Sequence, residues 1–128
     1  MSEWPGPIFA VTLFAEDLRA ARRFYTEVFG LPVVVEDGNS AVFQLGETLI
    51  NLLAVSQAPG LVGPAPIAPP GAGVRSQLTL KVADVDAMCA ELERRGVTLL
   101  NGPMDRPWGP RTAAFRDPTG TVWEIASQ

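Results

Sequence analysis

The chain of 128 residues contains no histidine and a single cysteine, Cys89. Without histidine, no metal site here can draw on imidazole donors. One cysteine rules out an internal disulfide and suits a reducing compartment, so a cytoplasmic location is expected. No apolar run approaches the ~20 residues of a membrane span. The opening MSEWPGP has no basic segment followed by an apolar stretch, so neither a membrane partner nor a secretion signal is expected. Basic residues cluster no further than the pairs Arg22-Arg23 and Arg94-Arg95, and the net charge is −4, which argues against a nucleic-acid partner. The patterns GxxxxGKS, GxSxG, CxxC and HExxH are missing. That removes phosphate-loop, serine-hydrolase, zinc-ribbon and zincin chemistry.

What remains is an ordinary globular composition, 47% hydrophobic and 19% charged, and a length that suits one domain over 1–128. Within it one unit occurs twice. "VTLFAED" (11–17) and "LTLKVAD" (78–84) alternate as strands do, and each ends in an aspartate able to cap a helix. An amphipathic run follows each. The first, Leu18 to Phe29, carries Leu18, Ala21, Tyr25 and Val28 on one face and stops at Gly30. The second, Val85 to Arg95, carries Val85, Met88, Cys89 and Leu92 on one face and stops at Gly96. Met88 and Cys89 are therefore expected in the core, and so is Trp123, beneath a helix.

Three strands then follow in each half: "LPVVVE", "AVFQ" and "TLINLL" in the first, "VTLLNG", "AAFR" and "TVWEIA" in the second. Asp17 and Asp84 are 67 residues apart, Phe43 and Phe115 72, and Asn51 and Glu124 73, a drift that loop insertions explain. The order strand, helix, three strands predicts two βαβββ modules, over 7–53 and 76–127, in the α+β class. One such module cannot bury both faces of its small sheet, so two should pack together. Residues 54–75 hold five prolines and four glycines. This reads as a semi-rigid linker, long enough to let the modules pair within one chain or across a homodimer.

In these stretches the chain resembles the vicinal oxygen chelate superfamily of glyoxalase I, bleomycin-resistance proteins and extradiol dioxygenases. The likeness rests on "VTLFAEDLRAARRFYTEVFGLPVV", "LTLKVADVDAMCAELERRGV" and "WGPRTAAFRDPTGTVWEIA", and covers essentially the whole chain. It implies two curved mixed sheets closing a cavity. In metal-dependent members two ligands come from each module, one early on the first strand and one on the last. Those positions fall here at Ala10, Asn51, Gln77 and Glu124. A typical first-strand ligand is histidine and a typical last-strand ligand is glutamate, so three of the four positions depart. One carboxylate, two neutral amides and a methyl group make a poor site for Zn²⁺, Fe²⁺ or Mn²⁺. No metal and no other cofactor is expected, and metal-dependent glyoxalase or dioxygenase activity is not expected.

Glu124 lies between Trp123 and Ile125 in an apolar strand, where a carboxylate needs partners. Period-two alternation puts it on one face with Val122 and Ala126. By the same parity Thr12, Phe14, Asn51, Gln77, Thr79 and Lys81 face the cavity. A vestigial Glu124, paired with Lys81 or Arg111, competes with a ligand-contacting one. Phe14 and Phe43 serve as core or as cavity walls. Trp108, in the loop "DRPWGPR", is either structural or an aromatic platform at the rim, and Trp4 either caps the cavity or packs across a dimer.

The expected ligand-binding set is Phe14, Phe43, Asn51, Gln77, Thr79, Trp108, Arg111 and Glu124. The function it suggests is metal-independent sequestration of an aromatic or heterocyclic small molecule, such as an antibiotic. The rival is a metal-free lyase, isomerase or cyclase with Glu124 as its acid or base.

Overall fold

The computed structural model describes residues 6–127. The first half runs β1 (Ala10–Ala15), α1 (Leu18–Glu27), β2 (Val33–Glu36), β3 (Ser40–Leu45) and β4 (Thr48–Ala54). The second runs β5 (Gln77–Lys81), α3 (Val85–Arg94), β6 (Leu99–Asp105), β7 (Arg111–Arg116) and β8 (Val122–Ser127). Each half forms a mixed four-stranded sheet, in the orders β1-β4-β3-β2 and β5-β8-β7-β6. The first strand of each half pairs parallel to the last, because the intervening helix carries the chain back along the sheet. The α+β fold of two βαβββ modules is therefore present.

Both helices start where a short acid can satisfy their free N–H groups. Asp17 Oδ1 accepts from the Ala20 amide and Asp84 Oδ1 from the Ala87 amide, each at 3.0 Å. Helix α1 ends at Glu27, two residues short of the expected Phe29, and Gly30 takes the left-handed conformation beyond it (φ 68°). The linker is more structured than its composition suggests. It contains a short helix, α2 (Pro59–Val62), flanked by two 3₁₀ turns, and Pro70 lies against Gly120.

One core spans both halves, with Tyr25, Phe43, Ile50 and Leu52 meeting Val85, Cys89, Phe115, Trp123 and Ile125. The aromatic residue just beyond α1 joins the halves: Phe29 lies 5.0 Å from the Trp123 ring and 5.8 Å from Phe115, centroid to centroid. A polar clasp lies within this apolar seam. Buried Tyr25 donates its hydroxyl to Asp117 Oδ2 at 2.5 Å, and Trp123 Nε1 donates to both at 3.2 Å. Asp117 Oδ1 accepts from the Thr119 hydroxyl and from the amides of Thr119 and Thr121 in its own turn. Among the described residues the carboxylate is thus buried without a cation, held by hydrogen bonds. Trp123 is core as expected, with Tyr25 of α1, from the other half, against it. Met88 departs from expectation: it is 38% exposed, because the apolar stripe of α3 turns Val85, Cys89 and Leu92 inward and leaves it at the edge.

Candidate functional site

Each sheet presents one face to the helices and one away from them. Alternation assigns Leu49, Asn51 and Leu53 of β4, and Val122, Glu124 and Ala126 of β8, to the open faces, opposite the core residues Ile50, Leu52, Trp123 and Ile125. On the first open face Asn51 pairs with Thr12 and donates from Nδ2 to the Thr12 hydroxyl at 3.3 Å. On the second, Glu124 pairs with Thr79 and its Oε1 accepts the Thr79 hydroxyl at 3.0 Å. The two arrangements are repeat equivalents, one neutral and one charged.

Glu124 is half-buried, opposite Ala114 on β7 and beside Val122, which is buried. Among the described residues it forms no ion pair with Lys81 or Arg111, and Thr79 is its hydrogen-bond partner. Gln77 precedes Thr79 by one period on the same face and is exposed. Thr12 and Phe14 line a cleft of about 380 Å³ whose other wall is the linker at Val62 and 65–68, with Thr119 and Thr121 at one side. A separate apolar cavity of about 330 Å³ lies on the helix side among Phe29, Leu80, Met88, Leu92, Phe115 and Ile125, with Glu91 and Arg95 beside it.

Two expected ligand residues lie on the other side of their sheets. Phe43 is 0% exposed, opposite Ile50, and its ring lies 5.6 Å from Tyr25. It is core, not a cavity wall. Arg111 shares the parity of Ala113 and Phe115, so it reaches the helix side, where Nε and Nη2 grip both Asp86 carboxylate oxygens of α3 at 2.9 Å. Nη1 binds Asp105 at 3.1 Å. These contacts hold the Asp86 carboxyl below the usual carboxylate range and raise the guanidinium further still. Arg111 is a clamp between α3 and the sheet rather than a ligand anchor. Trp108 is 72% exposed in its loop, while Trp4 lies outside the described residues.

Arg106 is the residue that reading the sequence missed. Its Nε donates to the Thr112 hydroxyl at 2.8 Å, its Nη2 to Asn101 Oδ1 at 3.3 Å, and its guanidinium lies over the Trp108 ring at 5.7 Å. Thr112 faces the open side, opposite Ala126, and is a diagonal neighbour of Glu124, which places the two Cα atoms about 7–8 Å apart. A bulge in β6 between Asn101 and Met104 brings this group onto the face. Gly102, at φ 85°, permits the bulge: a Cβ there would meet the Thr112 carbonyl oxygen at 2.5 Å.

The donor set does not fit a resident transition metal. Ala10, Gln77, Asn51 and Glu124 supply one carboxylate, and no three His, Cys, Asp or Glu side chains converge among the described residues. Nor is any described helix long and apolar enough to cross a membrane.

Two βαβββ modules with open, polar-centred sheet faces define a glyoxalase-type protein. The sequence matches the Glyoxalase/Bleomycin resistance protein/Dioxygenase superfamily over residues 8–125, and the chain belongs to that family. It is similar to YraH of Bacillus subtilis (strain 168), described as an uncharacterized protein, at 34% identity over 122 residues covering 92% of this chain and 95% of that one. Among solved structures it resembles a glyoxalase/bleomycin resistance protein/dioxygenase from Nocardioides, with TM-score 0.88 and 22% identity over 98% of this chain and 85% of that one. A glyoxalase-related enzyme from Fulvimarina pelagi matches at TM-score 0.81 and 28% identity, covering 95% and 88% of the two chains. Lactoylglutathione lyase from Agrobacterium tumefaciens matches at TM-score 0.74 and 28% identity, covering 96% and 94%.

Proposed function

We propose that this chain is a metal-independent small-molecule binder of the bleomycin-resistance type, sequestering an aromatic or heterocyclic compound such as an antibiotic. The observation that carries the reading is the state of Glu124. It is the one carboxylate among the four positions where the resemblance puts metal ligands, and it is engaged by Thr79 rather than by further acidic or imidazole donors. A half-buried carboxylate among Val122, Ala114 and Thr79 orients a ligand that offers it an N–H or O–H. Burial of the ligand's rings supplies affinity, with Trp108 beside the same face as a platform.

The same carboxylate is the proton carrier of the competing reading, a metal-free lyase, isomerase or cyclase; similarity to a lactoylglutathione lyase supports turnover but not the absence of a metal. Product formation after addition of excess ligand separates the two. A binder saturates at one ligand per site, and Glu124→Gln changes its affinity modestly. An enzyme consumes the excess, and the same variant abolishes turnover while binding persists.

We further propose that the chain works as a homodimer whose site is completed by the first module of one copy and the second of the other. The exposed apolar residues Ile8, Phe9 and Val33–Val35, the last three on the edge strand β2, support this. Light scattering is expected to give about twice the chain mass of 13.7 kDa, and a lone monomer at micromolar concentration would refute it.

A further inference from the structure

Five arginines are held by more than solvent. Arg22, Arg94, Arg95 and Arg111 each bind a carboxylate. Arg106 differs: half-buried, it is fixed by two neutral oxygens and an aromatic ring, with no carboxylate in salt-bridge range among the described residues. Thr112 and Asn101 occupy two of its five N–H groups, so three remain to donate. Neutral partners orient a guanidinium without neutralising it. Holding a cation this way forgoes the compensation that a nearby carboxylate provides, and leaves a fixed fork of donors matched to an oxyanion.

We propose that Arg106 is an anion anchor, and that the ligand of this face is an aromatic carboxylate. The inference rests on the open face of the second sheet being the binding site, and it names the chemistry that face selects. The carboxylate takes the free donors of Arg106, and its ring lies along the exposed Trp108 loop. Glu124, one diagonal step on the sheet from Thr112, the residue that holds Arg106, accepts a hydrogen bond from an N–H or O–H at the ligand's other end. One positive and one negative anchor on a single face give the ligand a direction, which a uniformly apolar cup does not.

The test compares benzoate with benzamide, its neutral isostere, on the full chain by ¹⁵N-resolved NMR, following the Arg106 Nε–H and Trp108 indole N–H signals. Benzoate is expected to shift both signals saturably and to bind at least about tenfold tighter than benzamide. Arg106→Gln is expected to reduce benzoate to the level of benzamide. Equal binding of the two probes to the unaltered chain at these signals would overturn the anion anchor and leave the binding face standing. A benzoate preference that survives Arg106→Gln would also overturn it, by assigning the charge selection to another cation. If neither probe moved either signal, the anchor and the proposed binding face would fall together.

Discussion

Replacing Tyr25 by phenylalanine removes one oxygen from the centre of the seam between the halves. The ring contacts with Phe29 at 5.0 Å and Phe43 at 5.6 Å are retained, so the change isolates the hydroxyl. Asp117 loses its 2.5 Å donor, while Trp123 Nε1 still reaches Oδ2 and the turn donors still hold Oδ1. The carboxylate is weakened but not orphaned. One hydrogen bond to a buried charged group contributes about 1.5–3 kcal/mol. Against the ~5–15 kcal/mol expected for a whole domain that is a large share. For a chain of this size it lowers Tm by on the order of 10 °C.

The variant also tests a linkage. Burial, and after it the neighbouring Asp117 charge, push the Tyr25 phenol well above the normal range. The unfolded chain gives up this proton near pH ~10 while the folded chain keeps it, so stability falls as pH rises above about 10. Tyr25 is the sole tyrosine, so tyrosinate absorbance reports it alone. Urea unfolding across alkaline pH, with absorbance followed in parallel, is expected to show no tyrosinate until the protein unfolds. The variant should show a shallower alkaline loss. A destabilisation under about 0.5 kcal/mol would refute the reasoning, because it lies below the range for losing even a neutral hydrogen bond. So would tyrosinate appearing in folded protein near pH ~10.

Gly102→Ala is expected to unfold the β6 bulge or the whole protein, because its Cβ would press on the Thr112 carbonyl and the left-handed backbone disfavours it; normal circular dichroism and Tm would contradict this. Phe43→Ala should cost about 3–5 kcal/mol in urea unfolding as a core cavity. Arg111→Gln should leave ligand affinity unchanged, since Arg111 faces α3, and a lost affinity in titration would restore it to the site. Protein purified without chelator should carry no stoichiometric transition metal, and about one equivalent of Zn, Fe, Mn or Ni lost on Glu124→Ala would overturn the donor-set argument.

The repeat, the two capping aspartates and the placement of Glu124 were legible because they depend on local periodicity and short-range hydrogen bonds. Phe43 was misassigned to the ligand set, although the turn at Gly46-Glu47 carries its parity. That turn pairs Leu45 with Thr48 and so Phe43 with Ile50, a pairing that outranks an aromatic's apparent suitability as a cavity wall. Arg111 follows the same rule from Phe115, two periods along β7. Arg106 was not legible. Asn101 pairs with Ala114 and Met104 with Thr112, so β6 spends three residues where β7 spends two, and alternation fails across the bulge. Nor did sequence separation hint that Tyr25 would meet Asp117, 92 residues away, since that contact follows from how the halves pack.

If the proposed site is right, ligand binds the open face of the second sheet without metal. Amide NMR mapping of the chelator-treated chain, titrated with small aromatic carboxylates, tests it most directly. Saturable shifts are expected, centred on Thr79, Arg106, Thr112, Ala114 and Glu124 and undiminished by chelator. Shifts centred instead on the helix-side cavity at Phe29, Leu80 and Leu92, or binding that chelator removes and added metal restores, would contradict it.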